Sequence, residues 1–178
     1  MARGLDIPVV VDEAYADFAE THCVDLVRDH PNVIVTRTFS KGYSLAGMRL
    51  GYLVARPEIV EGLIKVKDSY NCDALSLAGG VAALEDQPYH LETTARVLAT
   101  RRRLTDAVRS LGFDVPESQA NFVWCTGHPR AVAIYEALKG RKVLVRLMRY
   151  PNTPPGLRIT VGTDDEIDLL LEQLRTLV

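Results

Sequence analysis

Cysteine is scarce in this chain: Cys23, Cys72 and Cys125 are all it has, far apart and odd in number. With no C-x-x-C pair they exclude a disulfide scaffold and a thiolate zinc site, and they point to reduced thiols in a cytosolic setting. Histidine is almost as thin. His22, His30, His90 and His128 show no ligand spacing such as H-E-x-x-H, so structural or surface roles are expected for all four and no metal site is expected. Neither sign of charge prevails: 21 Lys and Arg against 23 Asp and Glu leave −2. Such a balance gives no field favouring nucleic acid or an anionic membrane. The short basic clusters Arg101-Arg102-Arg103 and Arg141-Lys142 read as solvated faces of helix and loop. No apolar run could span a bilayer, and the stretch Met1–Asp6 is too short and too polar for a signal peptide. There are no repeats and no low-complexity tracts, and only Pro151 to Gly156 is a marked loop.

What is present is an alternation of strand and helix patterns. An apolar content of 47% in 178 residues suits one domain, or two small ones sharing a core. Ile7 to Val11, Val33 to Thr38 and Leu50 to Ala55 read as strands, apolar without alternation and hence expected to be buried on both faces. Asp12 to Phe18 leaves the first strand as a loop or turn, and Cys23 to Arg28 predicts a short helix stopped before Pro31. Pro57 suits the first position of a helix carrying Ile59, Val60, Leu63, Ile64 and Val66. Leu77 to Leu84 predicts a short helix and Pro88 to Leu111 a long one, with Gly112 as its stop. Asn121 to Cys125 then reads as a strand, Pro129 to Leu138 as a helix, and Val143 to Leu147 and Leu157 to Val161 as two more strands. Thr163 and Glu166 form a capping-box pattern before a last helix striped with Ile167, Leu170, Leu171, Leu174 and Leu177. The class is therefore α/β, with an α/β part from 1 to about 85 and an α+β part thereafter.

The chemistry centres on Val33 to Arg49, where a β-branched run gives way to small, hydroxylated and glycine residues around Lys41. A lysine just past a buried strand is held partly out of water, which favours the neutral amine that attacks carbonyls. Ser40 and Arg49 flank it as a hydroxyl donor and a fixed cation, a pairing suited to a phosphate group. Upstream, Asp12 closes an apolar run where open α/β sheets place ligand groups, and Tyr15 follows three residues on. Near the C-terminus, Arg158 lies in an apolar strand, a setting for a guanidinium that grips a carboxylate or a phosphate. Arg146, in Val143 to Leu147, is either a second anion contact or an edge-strand residue facing water.

D-E-A-Y at 12–15, T-F-S-K-G-Y-S-L-A-G-M-R-L-G-Y at 38–52 and L-R-I-T-V-G-T at 157–163 match one family in order and spacing. Together they resemble the pyridoxal-phosphate (PLP) aminotransferases of fold type I, and most closely the histidinol-phosphate aminotransferase family. The resemblance covers nearly the whole chain but only the second half of the family's sequence. It implies the C-terminal half of a fold type I PLP-dependent transferase: a partial large (cofactor-binding) domain over 1–85 and a complete small α+β domain over 86–178.

The same resemblance implies that Lys41 holds pyridoxal 5'-phosphate as a Schiff base and later shuttles the substrate's proton. Asp12 would pair with the ring nitrogen and Tyr15 with the phenolic oxygen. Ser40 and Arg49, with Thr38 as a weaker candidate, would hold the phosphate, and Arg158 would take the substrate's anionic end. Asn121 lies near the site in the family, with its role open. The implied reaction passes an amino group between histidinol phosphate and 2-oxoglutarate, in a cytoplasmic homodimer or other self-associated form. Aromatic-amino-acid aminotransferases and threonine-phosphate decarboxylase carry similar motifs. From another class, a non-catalytic interaction or assembly piece remains, because the family's glycine-rich phosphate loop and its ring-stacking aromatic have no counterpart here.

Overall fold

The structure, a computed structural model, describes residues 7–178. The polar stretch Met1–Asp6 lies outside the described residues. The chain divides into two compact units, one ending at Thr93 and the other running from Thr94 to Val178.

The first unit is built on three strands, β1 (Val9–Asp12), β2 (Val33–Thr38) and β3 (Gly51–Val54), in the order β1-β2-β3. β1 runs parallel to β2 with Val9 opposite Val33 and Asp12 opposite Thr36, whereas β3 is antiparallel with Gly51 opposite Thr38. Parallel pairing requires a crossover, and here that crossover includes a single helical turn, α1 (Leu26–Asp29), which buries Val27 among Val33 and Val35. After β3 come α2 (Pro57–Val66) and α3 (Ala74–Glu85). Pro57 opens α2 as expected, and Asp73 caps α3 by accepting the Leu75 and Ser76 N–H groups, both at 2.9 Å.

The expectation of strands buried on both faces holds only for the start of β2. Val33, Ile34 and Val35 are buried, but Val10 of β1 is 60% exposed and Gly51, Tyr52 and Leu53 of β3 are all exposed. The physical reason is one of layers. Apolar side chains are covered only where a second layer lies over them, and β1 and β3 are the outer strands of this sheet. On α2, likewise, Val66 is 79% exposed and no residue is buried.

The second unit has its own closed core. It comprises the later turns of α4 (Gln87–Ser110), then β4 (Phe122–Cys125), α5 (Ala131–Gly140), β5 (Arg146–Met148), β6 (Gly156–Thr160) and α6 (Asp164–Arg175). The strands form an antiparallel sheet in the order β4-β6-β5. One face contributes Val123, Cys125, Leu157 and Ile159 to a core shared with Leu104, Ile134, Leu138 and Leu174 of the helices. Burial pushes the Cys125 thiol up to about 12, so that it packs as a small apolar group. The Thr163–Glu166 capping box forms in both directions.

Most strands shift from their expected spans by one or two residues at an end, and one differs by more. Val143 to Leu147 reads as extended, yet β5 covers only Arg146–Met148. Its ladder with β6 starts at the Arg146–Arg158 pair, and Leu144 is 80% exposed. Among the described residues no helix is long and apolar enough to cross a membrane.

Candidate active site

In the first unit, the segment from Phe39 to Leu50 is a closed loop. The Phe39 N–H donates to Leu50 O at 3.1 Å, and the Leu45 N–H donates back to Phe39 O at 2.9 Å. Lys41 sits within it, half-buried, in a tight turn closed by the Ser44 N–H on Lys41 O at 3.1 Å. Its amine lies 5.7 Å from the centroid of the Tyr15 ring, within cation–π reach. Ser44 and Arg49 both take left-handed backbone angles, φ 57° and 53°, which are uncommon without glycine and tend to cluster at working sites.

That turn at Arg49 brings its guanidinium back onto the loop. Nη1 donates to Ala46 O at 2.7 Å and reaches Ser40 Oγ at 3.4 Å. Thr38 Oγ1 accepts the Ser40 N–H at 3.1 Å. The loop's far end is tied to α3: the Ser76 hydroxyl lies 2.8 Å from Met48 O and 2.6 Å from Asp73 Oδ2, and its single proton serves one of them at a time. Lys41, Tyr15, Ser40 and Arg49 are thus gathered around one loop. Asp12 stands exposed at the end of the adjacent strand, one of its oxygens accepting the Ala14 N–H at 3.0 Å.

Sequence reading passed over the neighbouring Glu13, although it lies inside the D-E-A-Y motif. Its side chain is 8% exposed, and its Oε2 accepts from Arg37 Nε at 2.9 Å and Nη2 at 2.8 Å. Its other oxygen takes the Cys23 N–H. Burial alone would raise this carboxyl, but the Cys23 N–H and the Arg37 guanidinium outweigh it and hold it below the usual range.

Glu13 and Arg37 thereby clamp the end of β1 to β2 from within the Asp12–Tyr15 segment. Glu13→Gln should cost about 2–3 kcal/mol, less than the roughly 3–5 kcal/mol of a fully buried broken pair, because Arg37 keeps some solvent. A carboxyl held low stabilises the fold above its unfolded value and loses that contribution as pH falls through the folded one. The wild-type advantage over the variant in urea denaturation should therefore be full above about pH 4.5 and shrink below it. An advantage that grows on acidification would show that the clamp is not ionic.

In the second unit, strand pairing sets Trp124, Arg158 and Arg146 side by side across β4, β6 and β5. Alternation sends Leu157 and Ile159 into the core and leaves Arg158 on the opposite face. The Arg158 guanidinium lies 3.9 Å from the Phe122 ring centroid, and Arg146 is exposed on the edge strand. Two cations opposite one another on a sheet repel unless an anion joins them. Trp124 covers Gly156, where any Cβ would run into the indole. At the foot of β4, Asn121 Oδ1 is buried and has no hydrogen-bond partner among the described residues.

The aminotransferase class I and II family model matches residues 1–174. The chain belongs to that family. Among similar proteins, the histidinol-phosphate aminotransferase of Rhodopirellula baltica is 52% identical over 170 residues, covering 94% of this chain and 47% of that protein. Histidinol-phosphate aminotransferase 1 of a Nostoc species is 48% identical over the whole chain and 51% of its own length. Among solved structures, the Sinorhizobium meliloti histidinol-phosphate aminotransferase, in complex with pyridoxal-5'-phosphate, matches with a TM-score of 0.85. It is 31% identical, over 96% of this chain and 50% of that one. The mixed α/β fold is thus that of about half of an aminotransferase, and the chain spans about half the length of the curated relatives it matches.

Proposed function

We propose that this chain carries the lysine-bearing half of a histidinol-phosphate aminotransferase, which passes an amino group between histidinol phosphate and 2-oxoglutarate. The observation that carries this reading is the gathering of Lys41, Tyr15, Ser40 and Arg49 around one loop, in a chain about half identical to enzymes of that name.

The donor set fits pyridoxal 5'-phosphate by its chemistry. A guanidinium with a hydroxyl suits the phosphate, and a primary amine beside a phenol suits the aldehyde and its neighbouring oxygen. An exposed carboxylate at a strand's C-terminal end suits the pyridinium. When bound, the cofactor supplies an electron sink. Lys41 then acts as the covalent anchor and proton carrier, Tyr15 as a hydroxyl donor, Asp12 as the counter-charge, and Ser40 and Arg49 as the phosphate's holders. Three unpaired cysteines suit a cytoplasmic protein. On this reading the domain division follows the family, with residues 1–85 the cofactor-binding part and 86–178 the small domain.

Arg158 takes the substrate's anionic end, with Arg146 as its second contact. Because the two arginines stand directly opposite, a dianionic phosphate satisfies both better than a lone carboxylate does, which favours a phosphate-bearing amine over an aromatic amino acid. In an enzyme completed by a relative's first half, Arg158→Lys should weaken transamination by about 2–3 kcal/mol and leave cofactor binding in place. A variant that loses its cofactor and keeps its substrate affinity would make Arg158 a cofactor ligand instead.

The test of the reading as a whole is chemical. Pyridoxal phosphate is added to the 178-residue chain, the product is reduced with borohydride, and the modified peptide is mapped. Lys41 should carry the label; a tag on Lys65 or Lys67 with Lys41 untouched would sink the assignment.

A further inference from the structure

Gly42, the residue after Lys41, is buried and is held by side chains from distant parts of the first unit. The Asp17 carboxylate packs directly against its Cα, where a Cβ would meet it. Its carbonyl lies 3.3 Å from His90 Nδ1. A carbonyl can only accept, so Nδ1 carries the proton in this bond. The other ring nitrogen, Nε2, faces Asp17 Oδ1 at 3.9 Å, a charge contact and not a hydrogen bond. His90 also lies flat on the ring of Tyr43, with centroids 4.1 Å apart and planes 8° from parallel. Tyr43 packs in turn on the buried Phe39 at 5.1 Å. A side chain at position 42 would collide with the Asp17 carboxylate, so the close approach itself demands glycine.

None of this is needed merely to close the loop, which the bonds of Phe39, Leu45 and Leu50 already do. Burial pushes the Asp17 carboxyl up, against the charges of His90 and Arg37.

We propose that Asp17 and His90 form a latch that positions Lys41, His90 holding the Gly42 carbonyl and Asp17 packing against its Cα, so that the lysine's turn keeps one geometry. The latch deepens the proposed function and rests on Lys41 being the lysine that meets the cofactor's aldehyde. Asp17 and His90 are positioning residues: they act on Lys41 through the Gly42 backbone and touch no reacting atom.

The test uses the 178-residue chain and two readouts. One is amide hydrogen exchange at Gly42 and Tyr43. The other is the ratio of Lys41 to Lys65 modified by pyridoxal phosphate and trapped with borohydride. Three variants separate the contacts: Asp17→Ala removes the carboxylate packed on Gly42, His90→Phe keeps a ring on Tyr43 without a donor, and His90→Asn keeps a donor near the place of Nδ1.

Asp17→Ala and His90→Phe should each speed exchange at Gly42 about tenfold and lower the Lys41:Lys65 ratio about fivefold or more, for His90→Phe the scale of one lost hydrogen bond. His90→Asn should return the ratio to within about twofold of the parent, a rescue that a general loosening of the fold would not show. An unchanged ratio in Asp17→Ala and His90→Phe overturns the latch, as does a loss in His90→Asn as deep as in His90→Phe. A parent chain that never prefers Lys41, either alone or joined to the first half of a relative, overturns the function reading, and with it the positioning role. Exchange at Gly42 reports separately on whether the grip exists.

Discussion

Lys41→Ala, made in an enzyme completed by joining this chain to the first half of a relative, should lower kcat by about 10⁴-fold or more. The amine has two duties in the proposed function, and neither has a spare donor nearby. Tyr15 is a phenol, which gives a hydrogen bond but is a poor nucleophile toward an aldehyde at neutral pH. Arg49 is a cation that never gives up its proton in a protein. Lys41→Arg should therefore be as inactive as the alanine variant, although it keeps the charge beside the Tyr15 ring. Because the loss falls on the chemical step, substrate affinity should move far less than kcat. Steady-state and single-turnover rates on the same preparations check this. A Lys41→Ala enzyme within about tenfold of its parent would place the working amine elsewhere in the chain.

The elements that sequence reading found are those whose signal is local. β2 was visible because three β-branched residues in a row, Val33 to Val35, have little use outside a buried strand. The last helix was visible because Thr163 and Glu166 stand three apart before an apolar stripe, and a capping box needs nothing else. The start of β5 was lost because Val143 and Val145 are apolar and extended in pattern, while a strand also needs a partner edge, which β6 supplies only from Arg158 back to Gly156.

The same division runs through the candidate site. Lys41, Ser40 and Arg49 could be picked out because they share one short loop of distinctive composition. Glu13, Asp17 and His90 could not. Glu13 meets Arg37 across 24 residues and His90 meets Gly42 across 48, and no spacing rule reaches that far. Only Phe39 and Tyr43, an aromatic pair four apart around Lys41, offered a nearby hint of the stack that holds the turn.

Alone in solution, the 178-residue chain should self-associate and should not retain stoichiometric pyridoxal phosphate. β1 and β3 are both outer strands of the first unit's sheet, so among the described residues each has one row of backbone groups without a ladder partner. Around them the apolar surface is broad: Val10 and Leu53 on the strands, Ile64 and Val66 on α2, and Leu75 and Val81 on α3 are all exposed. Exposed apolar side chains beside open strand edges are the combination that pairs with another chain. The second unit buries its own core and has less reason to take part.

Association should therefore run through residues 7–93. Val10→Lys and Leu53→Glu, which place charges on the two edge strands, should reduce it while leaving the second unit's helical signal in place. The cofactor follows from the same openness. Asp12 and Arg49 are exposed and Lys41 is half-buried, so water competes for every group that would hold the ring and its phosphate. Light scattering with an absorbance scan on the purified chain, with and without the two substitutions, decides the matter. A monodisperse monomer holding one cofactor per chain would show that residues 7–93 need no further layer to build a working site.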